Sequence, residues 1–167
     1  MKKFLCVAIS IVFILSMSVT GFAVENENNT VAGNLSAKSA ILMEASTGTV
    51  LMEHNPDEKL SPASITKVMT ILLTFEALDT GKIALEDKVT ASRNASSKGG
   101  SQIWLKEGEV MTVHELLKAT VIASANDACT ALGEYIAGDE ISFVSLMNER
   151  AKELGMNNTS FENCSGL

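Results

Sequence analysis

Ser61-Pro62-Ala63-Ser64-Ile65-Thr66-Lys67-Val68-Met69-Thr70-Ile71-Leu72-Leu73-Thr74-Phe75 reads as a helix with reactive side chains at its start. Ser61 suits an N-cap, and Pro62 suits the first helical position, where no N–H is needed. From Val68 to Phe75 only Thr70 and Thr74 interrupt the apolar residues. That predicts a helix running to about Leu78 and buried on most sides. Ser64 and Lys67 are three residues apart, so one helical face carries both. A hydroxyl beside an amine is the pairing of a nucleophile with its proton acceptor. Lys67 can accept a proton only when neutral, which requires lowering a pKa of about 10.4 by about three units, or roughly 4 kcal/mol. The helix N-terminus supplies about 1 kcal/mol of this, and burial or nearby cations must supply the rest. The same N-terminus offers the Ser64 N–H to an oxyanion. Spacing alone does not decide the matter, because a chain this long holds a chance Ser-x-x-Lys about half the time.

Upstream, Ser39 to Glu44 and Thr49 to Glu53 read as two strands joined by Ala45-Ser46-Thr47-Gly48. The loop has hairpin length, with glycine where a left-handed residue is needed. The apolar runs of both strands predict that both faces are at least partly covered. His54 has no partner at metal-ligand spacing, and two histidines in the chain do not make a zinc site. At the N-terminus, Lys2 and Lys3 precede a mostly apolar run from Phe4 to Val19, then Gly21-Phe22-Ala23. Residues 1–23 therefore read as a secretory signal peptide that takes Cys6 with it; the run is short for a membrane span. Residues 24–38 read as a flexible Asn-rich lead-in, leaving 39–167 for one globular domain. The chain carries a net charge of −7, and an acidic protein with scattered lysines is a poor partner for nucleic acid. Cys129 and Cys164 remain after export, either as a disulfide or as small buried side chains.

Downstream, residues 82–98 read as loops and short segments, and Gly99-Gly100-Ser101-Gln102 marks a turn without the helix of a phosphate loop. Thr112-Val113-His114-Glu115 is a capping box, with His114 solvated in the first turn. That helix gives way at Ser124-Ala125-Asn126-Asp127. A second helix follows from about Asp127 to Ala137, ended by Gly138. A third runs from Glu140 to Leu154, with Phe143, Val144, Met147, Ala151 and Leu154 at helical spacing and Gly155 as its stop. Met156 to Leu167 reads as loop. The class is α+β, and two strands alone make a marginal sheet, so more strands are expected after Leu167.

The Ser-x-x-Lys helix, followed about sixty residues later by Ser124-Ala125-Asn126, resembles the penicillin-binding proteins and serine β-lactamases. Four stretches narrow the resemblance: Ser61 to Lys67, Gly99-Gly100-Ser101-Gln102-Ile103, Ile122 to Ala128, and Phe143-Val144-Ser145-Leu146-Met147-Asn148. All four are similar to the low-molecular-mass D-alanyl-D-alanine carboxypeptidases, and the likeness runs from about Ser39 to Leu167. It implies the penicillin-binding protein/serine β-lactamase-like fold, here limited to its first β-hairpin, the nucleophile helix and the helical region. It also implies a serine-type carboxypeptidase that removes the terminal D-alanine from peptidoglycan stem peptides ending in D-Ala-D-Ala. β-Lactams would be its acylating inhibitors, and it would work at the cell wall, outside the cytoplasmic membrane. Ser64 then forms the acyl-enzyme, Lys67 accepts its proton, Ser124 relays a proton to the leaving D-alanine, and Asn126 holds the substrate. No metal or other cofactor is implied. Ser92-Arg93-Asn94 also fits Ser-x-Asn, but the Ile122 to Ala128 context selects Ser124 and Asn126, whose alternative role is helix capping.

The sequence departs from the family's pattern: no Lys-Thr-Gly or Lys-Ser-Gly occurs in it. In the family that motif lies on an edge strand that binds the substrate carboxylate, near a second oxyanion donor. Losing one such donor costs about 10²–10³ in rate. The family's C-terminal amphipathic membrane anchor, its only membrane contact, is missing too. The chain is thus expected to be the N-terminal part of a carboxypeptidase domain, inactive and poorly folded by itself. Two other functions are weighed against this one. A β-lactamase of class A is disfavoured by Ser-Ala-Asn in place of Ser-Asp-Asn and by the lack of a convincing Glu-x-x-Leu-Asn. The other is a non-catalytic remnant or a wall-peptide-binding protein.

Overall fold

The computed structural model describes residues 35–167, which divide into two units, 35–59 and Leu60–Leu167. The expected signal peptide, residues 1–23, and most of the lead-in lie outside the described residues. The first unit is the expected hairpin: β1 (Ala40–Met43) pairs antiparallel with β2 (Val50–His54), Ile41 opposite Glu53 and Leu42 opposite Met52, with an irregularity between Leu42 and Met43. Gly48 closes the turn at φ +70°. The Glu44 carboxylate accepts hydrogen bonds from Ser46 N and Thr47 N. Its bonds with Thr47 and Ser46 hold its pKa down to about 2. The prediction that both strand faces are covered fails, since Ile41 and Leu51 are 54% and 59% exposed. A two-stranded ribbon has no second layer of its own to bury them.

The second unit opens with a 3₁₀ turn, Ala63–Thr66, that continues into α1 (Lys67–Asp79). Ser61 does not cap it: Pro62 flanks the turn with no side-chain cap. Nor is α1 buried on most sides, as its apolar run predicts. Lys67, Met69, Thr70, Thr74 and Ala77 point inward, while Val68 and Phe75 are 63% and 48% exposed. Threonines are tolerated inside because their hydroxyls have acceptors. Thr74 donates to Thr70 O at 2.8 Å and Thr70 to Cys164 O at 2.7 Å.

A second antiparallel ribbon, β3 (Lys88–Thr90) with β4 (Val110–Thr112), was not read from the sequence because each strand is only three residues long. Between them lies a one-turn helix, α2 (Arg93–Ser96). Three helices follow: α3 (Val113–Ile122), α4 (Asn126–Ala137) and α5 (Glu140–Glu153). The Thr112/Glu115 capping box forms as expected, His114 is exposed, and Asp139 caps α5. Gly138 and Gly155 sit past the helix ends at positive φ.

Helix α4 is the centre of the core, packed by α1, α2, α3 and α5. Its Ala128, Cys129 and Leu132 meet Leu116, Phe143 and Met147 in one buried cluster. Gly133 lets the Phe143 ring approach to where a Cβ would lie 2.8 Å from it. Among the described residues no helix is long and apolar enough to cross a membrane.

Candidate active site

The turn before α1 presents Ser64. Ala63 adopts the left-handed region at φ +49°, a costly conformation for a residue with a Cβ, and leaves Ser64 exposed. Lys67, at the start of α1, is only 3% exposed. Its Nζ lies 3.2 Å from Ser64 Oγ and donates to the carbonyl of Ser165 at 2.9 Å. Burial pushes the Lys67 pKa down, and the nearby thiols of Cys129 and Cys164 push it back up. Burial, rather than a neighbouring cation, is what favours the amine here. Among the described residues the Ser64 N–H has no hydrogen-bond partner.

The terminal segment, expected as a loop, is irregular yet buried where it passes Lys67: Cys164 is 0% and Ser165 2% exposed. Asn163 Oδ1 accepts from Ser165 N at 3.1 Å and from Gly166 N at 2.6 Å. Gly166, at φ +80°, lies against the Ser64 turn so closely that a Cβ would fall 1.9 Å from the Ala63 carbonyl oxygen. Sequence reasoning missed this contact. Its only signal was a glycine between two small polar or apolar residues, which also suits any turn. Cys129 and Cys164 are free and buried, which settles the alternative left open above. Cys129 Sγ donates to Cys164 O at 3.0 Å. Cys129 beside it and burial push the Cys164 thiol well up.

Ser124 and Asn126 occupy the break between α3 and α4. Ser124 is half-buried with φ +54°, and its hydroxyl makes no hydrogen bond within the described residues. Neither residue caps: Ala125 stands at the N-cap, with no side-chain bond. Asn126 is 5% exposed and its amide tethers a loop, Nδ2 donating to Gly99 O and the backbone N to Ser101 O, both at 2.7 Å. Asp127, fully buried, extends the tether by accepting from Ile103 N, Leu105 N and Ala128 N. Between those pinned residues Trp104 is held at φ +64° and 75% exposed. Sequence reading took Asp127 only as the start of α4.

The two motifs meet through intermediaries. A Cβ on Gly100 would lie 2.9 Å from Asn126 Nδ2 and 3.2 Å from Leu167 Cδ1. Leu167 ends the segment that binds Lys67, so Lys67, the terminal segment, Gly100 and Asn126 form one continuous chain of contacts. No hydrogen bond joins Ser124 to Ser64 or Lys67. The competing Ser92 and Asn94 are engaged elsewhere: Ser92 caps α2, and both bind Glu134. Among the described residues no three His, Cys, Asp or Glu side chains are grouped to hold a metal ion.

A sequence profile of the D-alanyl-D-alanine carboxypeptidases, peptidase family S11, matches residues 24–167. The chain is 50% identical over 167 residues to D-alanyl-D-alanine carboxypeptidase DacF of Bacillus subtilis, covering all of this chain and 43% of that protein. The crystal structure of D-alanyl-D-alanine carboxypeptidase DacD from Francisella tularensis superposes with a TM-score of 0.78 at 36% identity, over 90% of this chain and 37% of that one. Penicillin-binding protein D2 from Listeria monocytogenes, in its ampicillin-bound form, gives 0.72 at 32% identity over 80% of this chain and 54% of that one. The chain thus spans less than half the length of DacF.

Proposed function

The chain belongs to the D-alanyl-D-alanine carboxypeptidase family, and we propose that it carries the nucleophile-bearing part of a serine-type enzyme acting on peptidoglycan stem peptides that end in D-Ala-D-Ala. The observation that carries the proposal is the Ser64–Lys67 contact of 3.2 Å at a lysine whose burial favours the amine. Ser64 Oγ bonds to the carbonyl carbon of the penultimate residue as its proton passes to Lys67 Nζ. The free Ser64 N–H is a donor for the oxyanion that forms. Collapse breaks the C–N bond, and the terminal D-alanine leaves with a proton relayed through Ser124. Water then attacks the ester, Lys67 again takes the proton, and Ser64 is restored with the shortened peptide released. Asn126 Oδ1, unpartnered within the described residues, accepts from a substrate amide while Nδ2 holds the Gly99 loop. β-Lactams acylate the same serine, a reading supported by the similarity to the ampicillin-bound Listeria protein. The enzyme works outside the cytoplasmic membrane, exported by the leader at residues 1–23.

The test compares the chain with a chimera that continues it with the residues following in the Bacillus subtilis relative, which is expected to supply the Lys-Thr-Gly motif missing here. Each is incubated with penicillin and weighed intact. The chimera should gain one penicilloyl group, mapped to Ser64, and the Ser64→Ala chimera none. An adduct of equal yield on Ser64→Ala would assign the nucleophile elsewhere. Hydrolysis of a D-Ala-D-Ala peptide, compared with turnover of a β-lactam, separates a carboxypeptidase from a β-lactamase.

A further inference from the structure

We infer that Thr70 and Cys129 are positioning residues for Lys67: they jointly hold the carbonyl of Cys164, and thereby aim the next carbonyl, that of Ser165, at the lysine. The inference rests on the reading of Lys67 as the proton acceptor. Thr70 lies three residues after Lys67, on the same helical face, and is fully buried. Its Oγ1 donates to Cys164 O at 2.7 Å, and Cys129 Sγ, from α4, donates to that oxygen at 3.0 Å. The following carbonyl, Ser165 O, takes Lys67 Nζ at 2.9 Å.

Two comparisons give the arrangement its meaning. Buried threonines in helices ordinarily return the hydroxyl to their own backbone. Thr74 and Thr120 do so here, bonding the carbonyls of Thr70 and Leu116 four residues back. Thr70 instead reaches across 94 residues to the carbonyl of Cys164, whose thiol is met by the other exception, Thr130 of α4. Second, that segment has no regular ladder, so its peptide planes are oriented only by such side chains. With planar peptides, fixing the carbonyl of Cys164 and the N–H groups of Ser165 and Gly166 leaves the Ser165 carbonyl little freedom. Lys67 Nζ is a flexible, rotatable donor, and the carbonyl gives it one fixed direction, on the Ser64 side.

The ionisable groups facing Lys67 are the thiols of Cys129 and Cys164. One step further out, Cys164 Sγ lies 3.4 Å from Glu140, which is paired with Lys98. The experiment reads Lys67 itself, by NMR titration of lysine labelled at Cε, in the full chain and in the chimera. The signal is assigned by its loss in Lys67→Arg. A carbonyl held on Nζ stabilises the ammonium, so releasing it should move the midpoint down. We expect Thr70→Val to shift it down by about one unit, and Thr70→Ser, which keeps the hydroxyl, to restore it to within about 0.2 unit. Cys129→Ala removes the weaker donor and should shift the midpoint in the same direction by less, so a misfolded Thr70→Val protein leaves a second reading. A purely structural Thr70 would lower the melting temperature and leave the midpoint in place. An unchanged or raised midpoint in the folded variants overturns the inference. Because no acylation is measured, failure of Ser64 to react with penicillin would count against the proposed function and not against this result.

Discussion

Lys67 Nζ and the carbonyl oxygen of Ser165 lie 2.9 Å apart in a buried contact that spans 98 positions of the chain. An amine that donates one N–H to a fixed carbonyl keeps its lone pair for another partner, and Ser64 Oγ stands 3.2 Å away. The contact therefore serves orientation. Burial, not the carbonyl, is what favours the neutral form.

The first expectation concerns pH. The folded pKa of Lys67 lies below its ordinary 10.5, so between those values the unfolded chain holds a proton that the folded chain has released. Stability rises with pH wherever the unfolded state binds more protons. Below the folded pKa both states are protonated, and the full cost of the buried ammonium is present. The stability of the wild type relative to Lys67→Met should therefore grow as pH approaches 10.5. Urea unfolding of both proteins at several pH values measures it. A difference independent of pH would mean that Lys67 titrates as a free lysine.

Gly166→Ala should be among the most damaging single changes, because the new Cβ would overlap the Ala63 carbonyl oxygen. Gly81→Ala is its control: φ is similarly positive, at +68°, and nothing lies within 4 Å of the added atom. The control should lose only the left-handed backbone term of about 1–2 kcal/mol. Gly166→Ala should lose about 3 kcal/mol or more, with the steric term added. Equal losses in denaturant titrations would remove the close approach from the account.

Asp127→Ala leaves the N–H groups of Ile103 and Leu105 without their acceptor. Buried unsatisfied donors cost about 1–3 kcal/mol each, so a loss of about 3 kcal/mol is expected. Trp104 is the sole tryptophan and sits between those residues, so its fluorescence anisotropy reports the loop directly. Anisotropy should fall in Asp127→Ala and change less in Asp127→Asn, which keeps one acceptor oxygen. An unaltered loop signal in the alanine variant would count against the tether.

Thr112→Ala tests a feature read from sequence alone. Thr112 accepts from Glu115 N at 3.1 Å, and Glu115 returns a carboxylate to Thr112 N at 2.8 Å. Losing the cap should cost about 1 kcal/mol. A loss within about 0.3 kcal/mol of zero would make the capping box decorative.

Local features of the chain were legible from local chemistry. The hairpin followed from two short apolar runs around Gly48, the helix ends from Thr112, Gly138 and Gly155, and the Ser64–Lys67 pair from a spacing of three on a helix. Each of these depends on residues within a few positions of one another, and that is the range over which sequence pattern reports backbone geometry. Which face of α1 is buried was not legible, because the apolar pattern argues for Val68 and Phe75, whereas Thr70 turns inward to the distant carbonyl of Cys164 and Thr74 is satisfied inside by the carbonyl of Thr70. The role of Asn126 as a loop tether and the carbonyl of Ser165 on Lys67 were also beyond reach. A backbone carbonyl carries no residue signature, so only the tertiary structure, by folding residues 163–166 under the Ser64 turn, decides which one the lysine meets.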